Sequence, residues 1–464
     1  MEARYITALD IGTTKIACLI AKVHKDKKIE LVGVGTTPSV GVWCGQVRNI
    51  DQTVESINRA VALAQEQAGV KISRVNVGIA GKHIRCSQNR GYLNKENAST
   101  PITADDIEFL MKEQYKVMVN PGEQIIHVIP QNYIVDKSFD VIEPIGMVGK
   151  MVEANFHLVI GMTDSINHIR KSIENANLVT NKIILEPLAS ADAVISDEEK
   201  EAGVILVDIG GGTTDIAIFH NKTIKHSAVI PFGGNVITND IKTECGILEK
   251  QAEELKKQFG EALFQMVDKN KIVSVPGIKG RDPKEISVEF LARIIQYRME
   301  EIIEAVMFEV QLADVSGKIG AGIVLTGGGS QLKNLQQLFA FKSKMDVRVG
   351  YPDEYIESQN CDINHPMYAT AVGLLIKGLE SQRVGKKKEA AVAEQAVAEP
   401  VTVQDSLTIE DTDWNETPSD KKRLKHSKAE KALKAEKVEK VEKSSNIMQT
   451  FIDFFKVDED TKHE

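Results

Sequence analysis

Two periodicities alternate along the first 380 residues. Apolar runs broken by glycine and threonine read as strands and turns, while apolar positions three and four apart read as helices. Ala8-Leu9-Asp10-Ile11-Gly12-Thr13-Thr14-Lys15-Ile16-Ala17 is a strand, a Gly/Thr turn and a second strand. The same pattern returns about 200 residues later as Leu206-Val207-Asp208-Ile209-Gly210-Gly211-Gly212-Thr213-Thr214-Asp215-Ile216-Ala217. Helical spacing follows, for example over 53–67, 165–175 and 288–310. A β-hairpin opening each of two similar halves, with helices behind it, predicts an α/β fold with a cleft between the halves.

The pattern changes near Leu379. Residues 382–445 hold almost no large apolar side chains and cannot bury enough surface to offset chain entropy, which predicts a disordered linker. Its first block, 389–420, is acidic; its second, 421–443, sets ten Lys or Arg against four Glu. Ser444-Ser445-Asn446 then offers helix N-cap chemistry. On a helical wheel Ile447, Met448, Phe451, Ile452, Phe454 and Phe455 fall within an arc of about 160°, with Gln449, Thr450, Asp453 and Lys456 opposite. The expectation is a short amphipathic helix lying in an anionic membrane surface, the alternative being one docked on a protein groove or on its own body. The basic block, if not a solvated spacer, would aid membrane contact, and Asp458, Glu459 and Asp460 would oppose it.

A chain of 464 residues with 42% apolar content has room for two to four domains. A net charge of -9 argues against a nucleic-acid partner. Cys18, Cys44, Cys86, Cys245 and Cys361 are scattered and odd in number, which fits a reducing compartment better than disulfides or zinc. No signal peptide and no apolar run of about 18 residues is visible, so membrane contact is expected to be peripheral.

The glycine turns suggest chemistry. A triphosphate needs inward-facing N–H groups, which glycines permit, hydroxyl donors, and carboxylates that hold Mg²⁺ through water. Asp10, Gly12, Thr13, Thr14 and Lys15 on one turn, and Asp208, Gly210, Gly211, Gly212, Thr213 and Thr214 on the other, would clamp the phosphates of ATP, with Asp10 and Asp208 serving the metal. A third cluster, Gly327-Gly328-Gly329-Ser330, follows the strand-like run 321–325 and precedes helical spacing at Leu332, Leu335 and Leu338, a place for a nucleoside against backbone. Glu186, before Pro187, is either a helix-start carboxylate or the group that positions the attacking water. Arg298 either lies over the adenosine or forms a surface ion pair.

Two phosphate hairpins, a connecting helix and a GGG loop in this order resemble the actin, DnaK-type chaperone and sugar-kinase superfamily. Within it the chain is most similar to the FtsA family of bacterial cell-division proteins, over residues 4–380. Ile126-His127-Val128-Ile129-Pro130-Gln131-Asn132-Tyr133-Ile134-Val135-Asp136 looks like that family's HxxPxxYxVD stretch. Pro144-Ile145-Gly146-Met147-Val148-Gly149, then Glu153-Ala154 and His157, look like its next landmark, and Val77-Gly78-Ile79-Ala80-Gly81 fits the strand before them. Lys150-Met151 stands where the family often has Arg-Leu.

The resemblance implies an actin-like (ribonuclease H-like) two-lobed fold with an FtsA-type 1C subdomain. Its parts would be 1A (1–82 and 162–195), 1C (83–161), 2A (196–237), 2B (238–300), a closing segment with the adenosine loop (301–380), a linker (381–445) and a membrane helix (446–457). Within 1C a helix is expected over 104–118 and strands over 124–135 and 150–160; within 2B, a charged helix over 248–259. The implied function is ATP-dependent self-assembly, binding of the C-terminal tail of FtsZ through 2B, tethering of FtsZ filaments to the inner membrane and recruitment of other division proteins, with at most slow ATP turnover. Arg281, Lys284 and Arg293 are candidates for the FtsZ contact, because an acidic peptide calls for positive charge; the alternative is that they are solvated helix and loop charges. The alternatives are a PilM-like pilus-assembly component and, on the cleft alone, an actin-fold small-molecule kinase.

Overall fold

The computed structural model describes residues 4–24, 29–277, 279, 281–315, 317–352, 356–357 and 363–380. The chain divides into two units, 1–397 and 398–464, and the second lies wholly outside the described residues. So do the linker and the amphipathic helix expected at 446–457.

The echo in the sequence is an echo in topology. In the first lobe, Arg4–Ile11, Lys15–Val23 and Ile29–Pro38 form an antiparallel meander; Arg74–Ile79 pairs parallel with the first strand and Val179–Leu185 parallel with Arg74–Ile79. In the second lobe, Val204–Ile209, Thr214–His220 and Thr223–Ile230 form the meander, and Ile323–Thr326 and Val347–Val349 add the parallel strands. Both sheets therefore run third, second, first, fourth, fifth in their own chain order. Ile356–Glu357 adds a short strand to the first. The fold is the actin-like one.

The lobes differ in where they are interrupted. Between its fourth and fifth strands the first lobe inserts a separate sheet ordered Ile84–Asn94, Met151–Met162, Glu123–Val135, Ser138–Val141, with helix Ala104–Gln114 packed on it. The second lobe inserts between its third and fourth strands: helices Gly234–Cys245 and Glu249–Phe259, the hairpin Ile272–Val275 with Lys284–Ser287, and helix Val288–Leu312.

Helices Glu186–Val194 and 369–380 lie between the two sheets. Their apolar faces join Ile6, Leu19, Leu206 and Phe219 in one core that belongs to both lobes. They touch backbone to backbone, since a Cβ on Gly373 would overlap the Ala189 carbonyl. Behind the first sheet, Ile50–Ala68 and Thr163–Asn175 bury Ile57, Val61, Ile166 and Ile173 in a second core.

The resemblance implies a helix over 104–118, but the helix ends at Gln114. Lys116 and Val117 donate to carbonyls three residues back, at 3.1 and 3.2 Å, tightening the exit. The buried Gln114 side chain is also tied to Asn89 at 2.7 Å. At the other end Thr103 and Asp106 form a reciprocal capping box.

Candidate nucleotide-binding site

Each hairpin turn is closed by its own backbone. The Gly12 N–H donates to the Lys15 carbonyl at 3.0 Å, and the Gly210 N–H to the Thr213 carbonyl at 2.9 Å. The two turns meet across the cleft. A Cβ on Gly211 would overlap the Thr14 hydroxyl, and one on Gly212 would lie 2.5 Å from Thr13 Oγ1. The second turn can come this close only because it has no side chains. The start of helix Gly234–Cys245 braces it, the Gly234 and Asn235 N–H groups donating to the Gly210 and Gly211 carbonyls at 2.9 and 2.8 Å. Thr13 Oγ1 in turn accepts from the Gly45 N–H at 3.1 Å. Thr214 is buried and donates to the Phe232 carbonyl at 3.0 Å.

The third loop closes on the second lobe. Gly327 has φ 81°, and a Cβ there would collide with Asp208 Oδ1. Ser330 Oγ donates to the Gly327 carbonyl at 2.7 Å, while Gly328 faces open space. Strand, triple glycine, helix was the expected order. The structure inserts a single 3-10 turn, Gly328–Gln331, and starts the helix only at Leu335, because Asn334 takes a left-handed conformation with φ 60°.

Carboxylates gather beneath these loops. Asp10 is buried and bonded to Lys15 Nζ at 3.3 Å; the same ammonium lies 5.0 Å from the Tyr368 ring. Asp208 accepts from Ser190 Oγ at 2.7 Å and from Thr370 Oγ1 at 3.3 Å. Burial pushes its pKa up to about 6, with Asp10 adding to the rise and the Ser190 hydrogen bond opposing it. Burial also pushes Glu186 well above the usual carboxylate range, helped by Asp10, Asp215 and Asp208. Its side chain lies against Gly78, where a Cβ would come within 2.8 Å of Oε1. Asp215, which the sequence reading passed over as a strand residue, behaves likewise: burial and then Asp208 raise it, and its Oδ1 is buried without a protein partner. Glu186, Asp208 and Asp215 thus resist ionisation until more positive charge arrives.

A second omission is Lys256. Its ammonium donates to the Gly234 carbonyl at 2.8 Å and to Thr238 Oγ1 at 2.7 Å, and it pairs with Glu253, beside the second glycine turn. Only the fold brings it there. Arg298 grips Asp240 through two nitrogens, at 2.6 and 3.1 Å, and Glu301 at 2.6 Å. In the second lobe's insert, Arg281 is exposed. Lys284 caps a helix end through the Cys245 and Gly246 carbonyls, at 3.0 and 2.5 Å. Arg293 pairs with Glu289 at 2.8 Å and stacks 4.8 Å from the Phe264 ring. Among the described residues no three His, Cys, Asp or Glu converge as direct metal ligands, and no helix is long and apolar enough to cross a membrane.

A family model described as cell division protein FtsA matches residues 205–373, one described as an SHS2 domain inserted in FtsA matches 81–160, and one for the type IV pilus assembly protein PilM matches 138–263. The FtsA protein of Pseudomonas aeruginosa is 38% identical, covering 86% of this chain and 95% of its own length. That of Escherichia coli is 34% identical, covering 83% and 93%. Among solved structures, the PilM-PilN type IV pilus biogenesis complex superposes with a TM-score of 0.59 at 15% identity, covering 81% of this chain and 98% of the matched one.

Proposed function

The chain belongs to the FtsA family of cell-division proteins, and from that membership we propose that it binds ATP with Mg²⁺, self-assembles, and tethers FtsZ filaments to the cytoplasmic face of the inner membrane at the division septum, where it recruits later division proteins. The observation that carries the nucleotide part is the meeting of the two glycine turns over buried, proton-retaining carboxylates.

The residues fit a magnesium triphosphate. Buried acids with too little positive charge, and an orphaned Asp215 oxygen, would be relieved by a hydrated cation that Asp10 and Asp208 would hold. Bound Mg²⁺ would supply the charge that neutralises the phosphates. The Gly211 and Gly212 amides and the Thr13, Thr14 and Thr213 hydroxyls would face the phosphates, with Lys15 adding charge. The Gly12 and Gly210 amides and the Thr214 hydroxyl, already bonded to the Lys15, Thr213 and Phe232 carbonyls, hold the turns in shape. Gly327, Gly328, Gly329 and Ser330 leave backbone bare for the nucleoside. Arg298 would complete the adenosine side, its guanidinium fixed by Asp240. Glu186 would orient the attacking water. The burial that raises Glu186 leaves little of it in the carboxylate form that can accept a proton, in keeping with slow turnover.

Tethering rests on Ile447, Met448, Phe451, Ile452, Phe454 and Phe455. A helix this short is marginal by itself. Six partly buried side chains give roughly 5–8 kcal/mol gross before ordering costs, so single copies should bind weakly and filaments firmly. Arg281, Lys284 and Arg293, all exposed, stand as the FtsZ-tail contact. Flotation with liposomes of anionic lipid tests the tether. The full chain should float, and chains ending at Leu379 or carrying Phe451→Asp should not. Equal flotation of all three would refute it. The PilM-like alternative predicts no flotation and no FtsZ-tail binding.

A further inference from the structure

The family-like segments outside the cleft, around His127, Gln131 and His157, take no part in gripping a nucleotide. The Gln131 and His157 side chains have a common destination. The inserted four-stranded sheet is covalently part of the first lobe, yet its polar groups bond to Thr223–Ile230, the edge strand of the second. Cys86 Sγ and His157 Nε2 both lie 2.9 Å from Ser227 Oγ. Gln131 Nε2 donates to the Ile224 and Lys225 carbonyls at 2.7 and 3.1 Å. Ser227, His157 and Gln131 are all buried, so these bonds are shielded from competing water. On the next residue, His226 pairs with Glu309 of helix Val288–Leu312 at 2.8 Å, fixing the edge strand to its own lobe.

Both ends of this seam lead to the glycine turns. Five residues beyond Ser227, the Phe232 carbonyl accepts from Thr214, and a Cβ on Gly233 would lie 2.5 Å from the Gly210 carbonyl. On the first-lobe side, His127 Nε2 accepts from the Leu185 N–H at 3.1 Å, one residue before Glu186.

We infer that the inserted sheet is a clamp between the lobes: the Cys86–Ser227–His157 contact and the Gln131 bonds hold the closed arrangement, and lobe opening for nucleotide exchange must break them. This rests on the nucleotide-binding reading of the cleft. The coupling is reciprocal, so nucleotide in the cleft favours the docked sheet as much as docking favours nucleotide.

The test converts the contact into a covalent bond. In Ser227→Cys the new thiol faces Cys86 at a separation that a small rotation closes. Diamide takes up the two hydrogens as the thiols join in one disulfide, and dithiothreitol reverses the reaction. Release of a fluorescent ATP analogue is followed in the full chain with Mg²⁺, using the unsubstituted protein under the same oxidant as control for Cys44 near the cleft. We expect release to slow tenfold or more on oxidation and to recover on reduction, a contrast within one polypeptide that a merely structural role does not produce. Gln131→Ala, which needs no cross-link, should speed release several-fold. Release unchanged by both the disulfide and Gln131→Ala overturns the clamp and leaves the cleft standing. Failure of the reduced protein to bind nucleotide at all overturns both.

Discussion

After Ile11 the first lobe's turn carries one glycine, two threonines and a lysine; after Ile209 the second lobe's turn carries three glycines before its threonines. The strands on either side pair in the same way and the sheets share one strand order. Only the turns divide the work. The first lobe presents side chains, namely the Thr13 and Thr14 hydroxyls and the Lys15 ammonium. The second presents bare backbone that those side chains can reach. One chain plan, used twice, thus makes an asymmetric grip, in which a glycine on one side matters because of a hydroxyl on the other.

That division can be broken at several points. The largest effect should come from Gly327→Val, which forces a branched side chain into a left-handed backbone against Asp208. ATP affinity by titration calorimetry should fall a hundredfold or more; a change under threefold would show that bare backbone is not what the second lobe contributes. Lys15→Met removes the ammonium among four acids and should weaken binding by on the order of 2 kcal/mol. Glu186→Gln should leave affinity nearly unchanged and slow hydrolysis roughly tenfold to a hundredfold. Equal losses in both would make Glu186 a structural helix-start residue.

The next expectation concerns pH. Asp208, raised from 3.8 to about 6, must lose its proton to serve Mg²⁺. ATP affinity should therefore rise by up to about tenfold per pH unit below 6 and level off above it, and Asp208→Asn should abolish the slope. For the ligand-free protein the sign is the reverse. A carboxyl that holds its proton more tightly when folded contributes stability below pH 3.8 that is lost as pH rises through about 6. His83, His127 and His157, lowered by burial from 6.5 to about 4, oppose it. Their stability is present above 6.5 and lost as pH falls through about 4. Melting temperatures from pH 4 to 7 should thus favour higher pH more strongly in Asp208→Asn than in the unsubstituted chain. The smallest effect should be that of Thr103→Ala, which removes a capping box from the inserted sheet's helix. It should cost about 1 kcal/mol of stability with no change in ATP affinity.

The hairpins could be read from the sequence because strands and glycine turns announce themselves over ten consecutive residues, and the chain repeats them. Helix Ile50–Ala68 was legible from its apolar spacing over 53–67, though not its first turn, which the Asn49 cap sets. What the sequence hid is set by contacts between distant residues. Asp215 looks like one more position in a strand until the fold buries it beside Asp208. Lys256 looks like solvated charge until helix Glu249–Phe259 turns it onto the Gly234 carbonyl. Arg298 meets Asp240, 58 residues away, and Ser227 meets Cys86 across 141. The late helix start at Leu335 turns on one Asn334 backbone conformation that leucine spacing does not reveal.

Calorimetric titration of Mg-ATP into the full chain and into Gly211→Val tests the central claim most directly. The account predicts one nucleotide per unsubstituted chain, and binding lost on Gly211→Val, with fold retained by circular dichroism, because the new side chain must push Thr14 out of the grip. Equal binding by the two proteins, or none by the unsubstituted chain, would contradict it.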